Sequence, residues 1–500
     1  MSCGPVTDEV VAVAVGGIVG FQPSGVFRMR RSRRIVHSCL MPSTPFTRLP
    51  RALPLLGHAL HLLRTPFSFL ATARSLGDVV EIRIGPRPAY LINDPELIRR
   101  VLVGEIKKYS KGVQFEKMRP ILGNGLVTAE GQEHLRHRRL IQPAFHHSRI
   151  AGYATIMRDL TLEMTASWYD GRQIALDTEL NQLALKIVGR TLFSTELGSQ
   201  AVDEVLRSMP VFLEGIAKRA MAPTKLLEKL PTNGNRRFDQ ANRRLHDVVD
   251  RMIADYRRAG VDHGDMLSML LDARDDVTGE GLGDVQVRDE AITMLLAGSE
   301  TTSTLLSWVF HVLGQRPDLQ TRLHAEVDEV LGEGPVTFEQ IGGLVYTRRV
   351  ITETLRLFPP AWLITRRTNE PVVLGEVSLP AGASILFAPY SLHRDPNLYA
   401  DAEVFDPDRW LPQRAQNIPR PAFVPFGAGN RQCIGEGFAW AEAIVVLATV
   451  ASRWRVRPAP GVQVHMVPAA TLRPSSLPMI PGRRQDSASV HRVLECTAAA

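Results

Sequence analysis

The residue best placed to do chemistry in this chain is a cysteine. Cys3, Cys39 and Cys496 stand near the termini, and Cys433 alone lies in the body of the chain. It belongs to the stretch Phe426-Gly427-Ala428-Gly429-Asn430-Arg431-Gln432-Cys433-Ile434-Gly435, a glycine-rich loop that feeds an apolar helix. Backbone N–H groups and a helix N-terminus behind the sulfur favour its ionised form. Gly427, Gly429 and Gly435 allow a tight bend and a close approach of backbone to a flat ligand, Phe426 can shield the sulfur, and Arg431 can pair with a ligand carboxylate. These are the parts of a haem-thiolate site, because a thiolate pushes electron density onto haem iron and favours O–O cleavage. A single buried cysteine is more often an inert small hydrophobe. The six spaced positions together have a chance occurrence on the order of one in 10^5, which reverses that expectation.

Three further constellations could act with it. Ala297-Gly298-Ser299-Glu300-Thr301-Thr302 puts a carboxylate beside a hydroxyl, a pair able to deliver protons to a dry site. The same residues could simply bend a helix, with threonine hydroxyls bonding back to the preceding turn. Glu353 and Arg356 lie three apart, so on a helix they share a face and can pair. His134 and Arg138, within Gly131 to Arg139, are four apart and also share a face. By contrast, Asp272-Ala273-Arg274-Asp275-Asp276 resembles the metal-binding carboxylates of terpene cyclases. It precedes the turn Gly279-Glu280-Gly281, and a charged run beside glycines is usually a solvated loop.

The cysteine loop matches the haem-binding signature FGxGxRxCxG of cytochromes P-450 at every defined position, and the resemblance covers about residues 50 to 485. It implies a cytochrome P-450 fold, mainly α with a smaller β region, and haem b ligated through Cys433 as the metal ligand. Cofactor contacts are then expected from His134, Arg138, Ala297, Gly298, Arg366, Phe426, Gly427, Arg431, Cys433 and Gly435, with Arg366 preferred to Arg367 for a propionate. The resemblance makes Gly298 the space for dioxygen, Thr301 the residue that hydrogen-bonds the activated oxygen, and Glu300 the proton carrier. It assigns Glu353, Arg356 and Arg409 to a structural triad. Phe115, Ala297, Leu363, Ile364 and Met479 are the expected substrate pocket.

The implied reaction inserts one oxygen atom from O2 into a C–H bond of a hydrophobic small molecule, with electrons from a ferredoxin and its reductase docking near Cys433. The segment from Lys111-Gly112 to Phe145 resembles bacterial members that oxidise terpenes such as pentalenene; a fatty acid or steroid is the second expectation. A haem-thiolate sensor or peroxide-using relative, and a metal-dependent terpene cyclase, are the competing classes. Glu300 with Thr301 weighs against the first of these, since a sensor needs no proton relay.

These residues need rigid elements behind them. An apolar stretch from about Arg288 to Leu313 predicts a long buried helix carrying the polar knot, and residues from about Gly435 to Arg453 predict a second helix behind the cysteine. Periodic apolar positions in Ile156–Trp168, Leu180–Phe193 and Leu245–Tyr256 predict further helices. Val79–Ile84 and Ala89–Ile92 around Gly85-Pro86 predict a hairpin, and Val372–Leu374 and Ile385–Phe387 predict short strands.

Composition bounds the rest. With 44% apolar and 22% charged residues the chain is globular. Its 59 basic against 52 acidic residues leave a mild surplus, much of it in the run Arg28, Arg30, Arg31, Arg33 and Arg34, which lacks interleaved aromatics. Nucleic-acid binding is therefore not expected. The cysteine positions exclude a disulfide-stapled core and suit a reducing, cytoplasmic setting. Val10–Phe21 is apolar but too short to span a membrane. Residues 1–49 are expected to be a disordered or mis-assigned extension, 50–485 a single catalytic domain acting as a monomer, and 486–500 a disordered tail.

Overall fold

The computed structural model describes residues 47–484, apart from residues 86, 194, 222–229 and 276. The expected extension, save Thr47, Arg48 and Leu49, and the expected tail lie outside the described residues. So do Cys3, Cys39, Cys496, the arginine run at 28–34 and Asp276.

Helices form where apolar residues recur at helical spacing. The ones that position the site are α1 (Gly131–Ile141), α2 (His147–Thr165), α3 (Leu176–Leu192), α4 (Asn233–Ala259), α5 (Asp284–Gln315), α6 (Val345–Leu357) and α7 (Glu436–Arg453). The 32-residue α5 runs through the centre, about 48 Å long at 1.5 Å per residue. It exceeds the apolar stretch at both ends. Its first turn, Asp284 to Val287, is partly solvated, and it stops at Gln315 because Arg316 precedes Pro317 and leaves the helical region. Leu183 and Ile187 of α3, Leu295 and Leu306 of α5, and Ile444 and Leu447 of α7 share one core. Trp308 of α5 stacks on Phe358 at 4.3 Å and donates its indole N–H to Leu472 O at 2.7 Å.

The smaller β region covers one flank. Strands β1 (Thr47–Arg48), β2 (Val79–Ile84), β3 (Arg87–Ile92), β4 (Tyr109–Lys111), β5 (Ile364–Thr368) and β6 (Ser384–Phe387) form one sheet in the order β1-β2-β3-β6-β5-β4. The expected hairpin pairs Val80 with Leu91, and its second strand starts two residues earlier than the apolar run. Arg87 and Pro88 are exposed there, so the apolar pattern does not register them. In β5 the pleat turns Arg366 inward and Arg367 outward, toward Glu116 at 2.9 Å. The chain is thus mainly helical with a smaller sheet portion, as its sequence implies.

Candidate active site

The loop before α7 is shaped by its own backbone. Cys433 N–H donates to Phe426 O at 2.9 Å and Gln432 N–H to Gly429 O at 3.0 Å, folding residues 426–433 back on themselves. Gly429 adopts φ +71 and packs on Leu102 O, where a Cβ would collide with the carbonyl. Cys433 has accessible surface and lines the cavity. Burial pushes its thiol above the usual range; the Gly435 backbone N–H and Arg138 oppose this, and Glu436 reinforces it. A thiol held this way becomes a thiolate when a cation takes over the sulfur.

Cations gather on the same wall. Lys111, His134, Arg138, Arg366 and Arg431 all line the cavity. Arg138 Nη1 donates to Gln432 O at 2.6 Å, tying α1 to the cysteine loop. Arg431 pairs with Glu130 at 2.8 Å. Arg431 Nη1 and Arg366 Nε are nevertheless buried with no hydrogen-bond partner among the described residues. Burial, then the neighbouring Arg431, lowers Arg366 to about 10. Burial and the adjacent Lys111 pull His134 down to about 3, so its imidazole is neutral. Lys111, which the sequence did not single out as a wall residue, gives its amine to the carbonyls of Leu126, Val127 and Ala129 at 2.7 to 2.8 Å. Burial lowers it to about 7. Spare buried donors of this kind fit an anionic group on the ligand.

Helix α5 supplies the opposite wall. Ala297, Gly298, Thr301 and Thr302 face the cavity, whereas Glu300 does not. Thr301 Oγ1 donates back to Ala297 O at 2.7 Å, and Glu300 Oε1 accepts from Thr471 Oγ1 at 2.8 Å. Gly298 was expected to make room for dioxygen. A Cβ there would meet Val188 Cγ2 at 2.7 Å, so this glycine also permits close packing of α3 on α5. Of the expected pocket residues, Phe115, Ala297 and Ile364 line the cavity, with Met294 and Val188 in addition. Leu363 and Met479 do not. Leu363, which precedes β5, packs instead on the cluster of Phe69 and Leu386, and Met479 packs under Gly314, roughly 25 Å along α5 from Ala297. The cavity measures about 370 Å³ and its wall is predominantly apolar.

The cytochrome P450 family profile matches residues 47–481. The chain belongs to the cytochrome P450 family. It is 46% identical over 441 residues to a cyclooctat-9-en-7-ol 5-monooxygenase of Streptomyces melanosporofaciens, covering 88% of this chain and 96% of that one. It is 46% identical to a cyclooctatin synthase of the same organism, over 92% of this chain and 99% of the other. A pentalenene oxygenase of Streptomyces avermitilis is 42% identical over 85% and 94%. The family implies haem. The residues of this P450 fit it, with a thiol on one wall and spare arginine donors at the rim.

Away from the cavity, the P450 closes its charges on one another. Glu353 and Arg356 are wholly buried and pair at 2.8 Å, with Arg409 at 3.3 Å from the same carboxylate. Asp406 N–H and Trp410 Nε1 also donate to Glu353, at 3.0 and 2.8 Å, and Arg356 reaches His393 O at 2.7 Å. Of the residues flanking Arg138, His137 is buried, with Nδ1 at 2.9 Å from Glu290, while Arg139 is exposed and pairs with Asp275 at 2.7 Å. Asp275 also caps its own loop through Val277 N–H and Thr278 N–H, at 2.9 and 3.0 Å. Sequence reasoning also passed over Glu442 of α7. It is fully buried facing Thr302, and neither carboxyl oxygen has a partner at full hydrogen-bond geometry among the described residues. A lone acid in the apolar run Phe438 to Val450 was the available signal.

Proposed function

We propose that this P450 is a haem-thiolate monooxygenase inserting one oxygen atom from O2 into a C–H bond of a cyclic terpenoid. The observation that carries the reading is a predominantly apolar cavity with one cysteine on its wall and buried arginines that keep spare donors. The names of the similar proteins, acting on cyclooctat-9-en-7-ol and pentalenene, support the substrate class.

Haem b would be held by Cys433 at iron and by Arg366 and Arg431 at its carboxylates, with His134 and Arg138 beside them. When bound it supplies the oxygen-activating chemistry, which a thiolate donor promotes. The chain's own residues do the rest. Phe115, Met294, Ala297 and Ile364 exclude water and orient a hydrocarbon by shape, because they offer it no polar handle. The Thr301 hydroxyl holds a proton at the cavity wall, and the Glu300 carboxyl carries protons in from outside it. Electrons arrive from a ferredoxin and its reductase at the basic face near Cys433. Cysteine usage supports a reducing, cytoplasmic setting, in which the chain would act as a monomer. No helix among the described residues is long and apolar enough to cross a membrane.

The test is a carbon monoxide difference spectrum of the reduced protein beside Cys433→Ala. A band at about 450 nm that vanishes in the variant supports the thiolate site; a band at only about 420 nm in well-folded wild type sinks it. A panel of cyclic terpenes and terpenols, with fatty acids and steroids as controls, is then offered with ferredoxin, reductase and NADPH. Oxygenated terpenoid product supports the proposed function. Product only from the controls moves the substrate class, and no turnover of any compound favours a sensor.

A further inference from the structure

The acid and the hydroxyl of α5 do not face the same way. Thr301 is on the cavity wall and the Glu300 carboxylate is outside it, although the two residues are adjacent in sequence. One hydrogen bond holds the carboxylate where it is, from Thr471 Oγ1 to Glu300 Oε1 at 2.8 Å. No ion pair joins Glu300 to any described residue. Thr471 is itself buried, and its hydroxyl lies 3.3 Å from that of Thr304, one turn along α5. Thr304 can thus donate to Thr471, leaving the Thr471 proton for Glu300.

The turn that carries Thr471 is fixed independently of Glu300. Leu472 N–H donates to Pro360 O at 3.1 Å, and the indoles of Trp308 and Trp362 donate to Leu472 O and Ala469 O at 2.7 and 3.0 Å. A rigid post therefore meets a side chain with several rotatable bonds through a neutral donor. Such a contact holds the carboxylate at one point, and rotation of the Glu300 side chain is enough to break it.

We infer that Thr471 is a positioning residue: it anchors the Glu300 carboxylate outside the cavity, and release of that hydrogen bond is the step by which Glu300 reaches Thr301. The inference rests on the proposed role of Glu300 as proton carrier. The anchor holds the acid outside the cavity between turnovers and keeps a carboxylate off the cavity wall while a hydrophobic substrate enters. Without it, the carboxylate samples both sides, and protons arrive out of step with the substrate.

The experiment compares wild type, Thr471→Val, Thr471→Ser and Glu300→Gln as haem-loaded full chains, using the terpenoid that wild type converts best in the panel above. Product formed per NADPH, peroxide released, the solvent deuterium isotope effect on kcat, and KM are read for each. In Thr471→Val, product per NADPH falls about tenfold, the scale of one lost hydrogen bond to a charged group, with peroxide rising to match. The isotope effect changes and KM does not. Thr471→Ser restores wild-type values because it keeps the hydroxyl. If Thr471→Val couples like wild type while Glu300→Gln is slow, the anchor is refuted and the relay stands. If Glu300→Gln turns over like wild type, the relay reading itself fails. Loss of haem or of the carbon monoxide band in Thr471→Val, or failure of serine to rescue, would show that Thr471 acts only through packing, and the inference would be overturned.

Discussion

Two charged regions of this P450 handle their charges in opposite ways. Around Glu353 the carboxylate is met by Arg356, Arg409, Asp406 N–H and Trp410, and the arginines go on to backbone carbonyls. Around the cavity, buried donors on Arg366 and Arg431 are left over. Unpaired buried polar groups are costly, and donors left over on a cavity wall are placed to be completed by a ligand. The first region is complete in the protein alone. The second is half of an interaction whose other half is the ligand.

The comparison predicts different sensitivities to mutation. Glu353→Ala strands a buried arginine pair and is expected to cost about 3–5 kcal/mol whether or not haem is bound. Urea unfolding of both forms checks this, and a loss confined to the haem-bound form would break the contrast. Gly298→Ala forces a Cβ against Val188 between α3 and α5, at about 1–3 kcal/mol; an unchanged midpoint would mean that this wall yields freely. Arg366→Met should leave the haem-free protein as stable as wild type or more so, yet weaken haem retention by about tenfold, the worth of one charge-assisted bond. Haem transfer to apomyoglobin measures it, and equal retention would show that the spare donor has no ligand partner.

A pH-dependent effect concerns Glu442. Burial holds its carboxyl well above the usual range, with the Thr302 hydroxyl a weak counterweight. A carboxyl whose folded-state value is raised binds its proton more tightly folded than unfolded. Stability is therefore lost as pH rises above about 4.3, the ordinary unfolded value. Glu442→Gln removes that dependence, so its melting temperature should exceed that of wild type by a margin that grows with pH. A margin independent of pH would sink this account.

The sequence made the cysteine loop legible because a thiolate site demands particular residues at particular spacings, and each of those constraints is local. The long helix was legible for a different reason: burial on all sides removes polar residues over many turns. Positions fixed by distant packing were not. Leu363 and Met479 have the right chemistry for a pocket, yet packing on the Phe69 cluster and the length of α5 take them elsewhere. Nothing local marks Lys111 as buried, because its three carbonyl acceptors lie 15 to 18 residues away. The destination of the Glu300 side chain was equally hidden, since Thr471 follows it by 171 residues.

The pleat of β5 also bears on how this protein can change over evolutionary time. Arg366 reaches the cavity and its neighbour Arg367 reaches Glu116 only because side chains alternate along a strand. Between Ile364 and Thr368, exchanges of side chain that respect the inward and outward faces leave that arrangement intact. Gain or loss of a single codon inverts it, sending one arginine to solvent and aiming its neighbour inward. Descendants of this chain are therefore free to vary the composition of the segment while its length stays constrained, and substrate range can drift there by substitution but not by insertion or deletion.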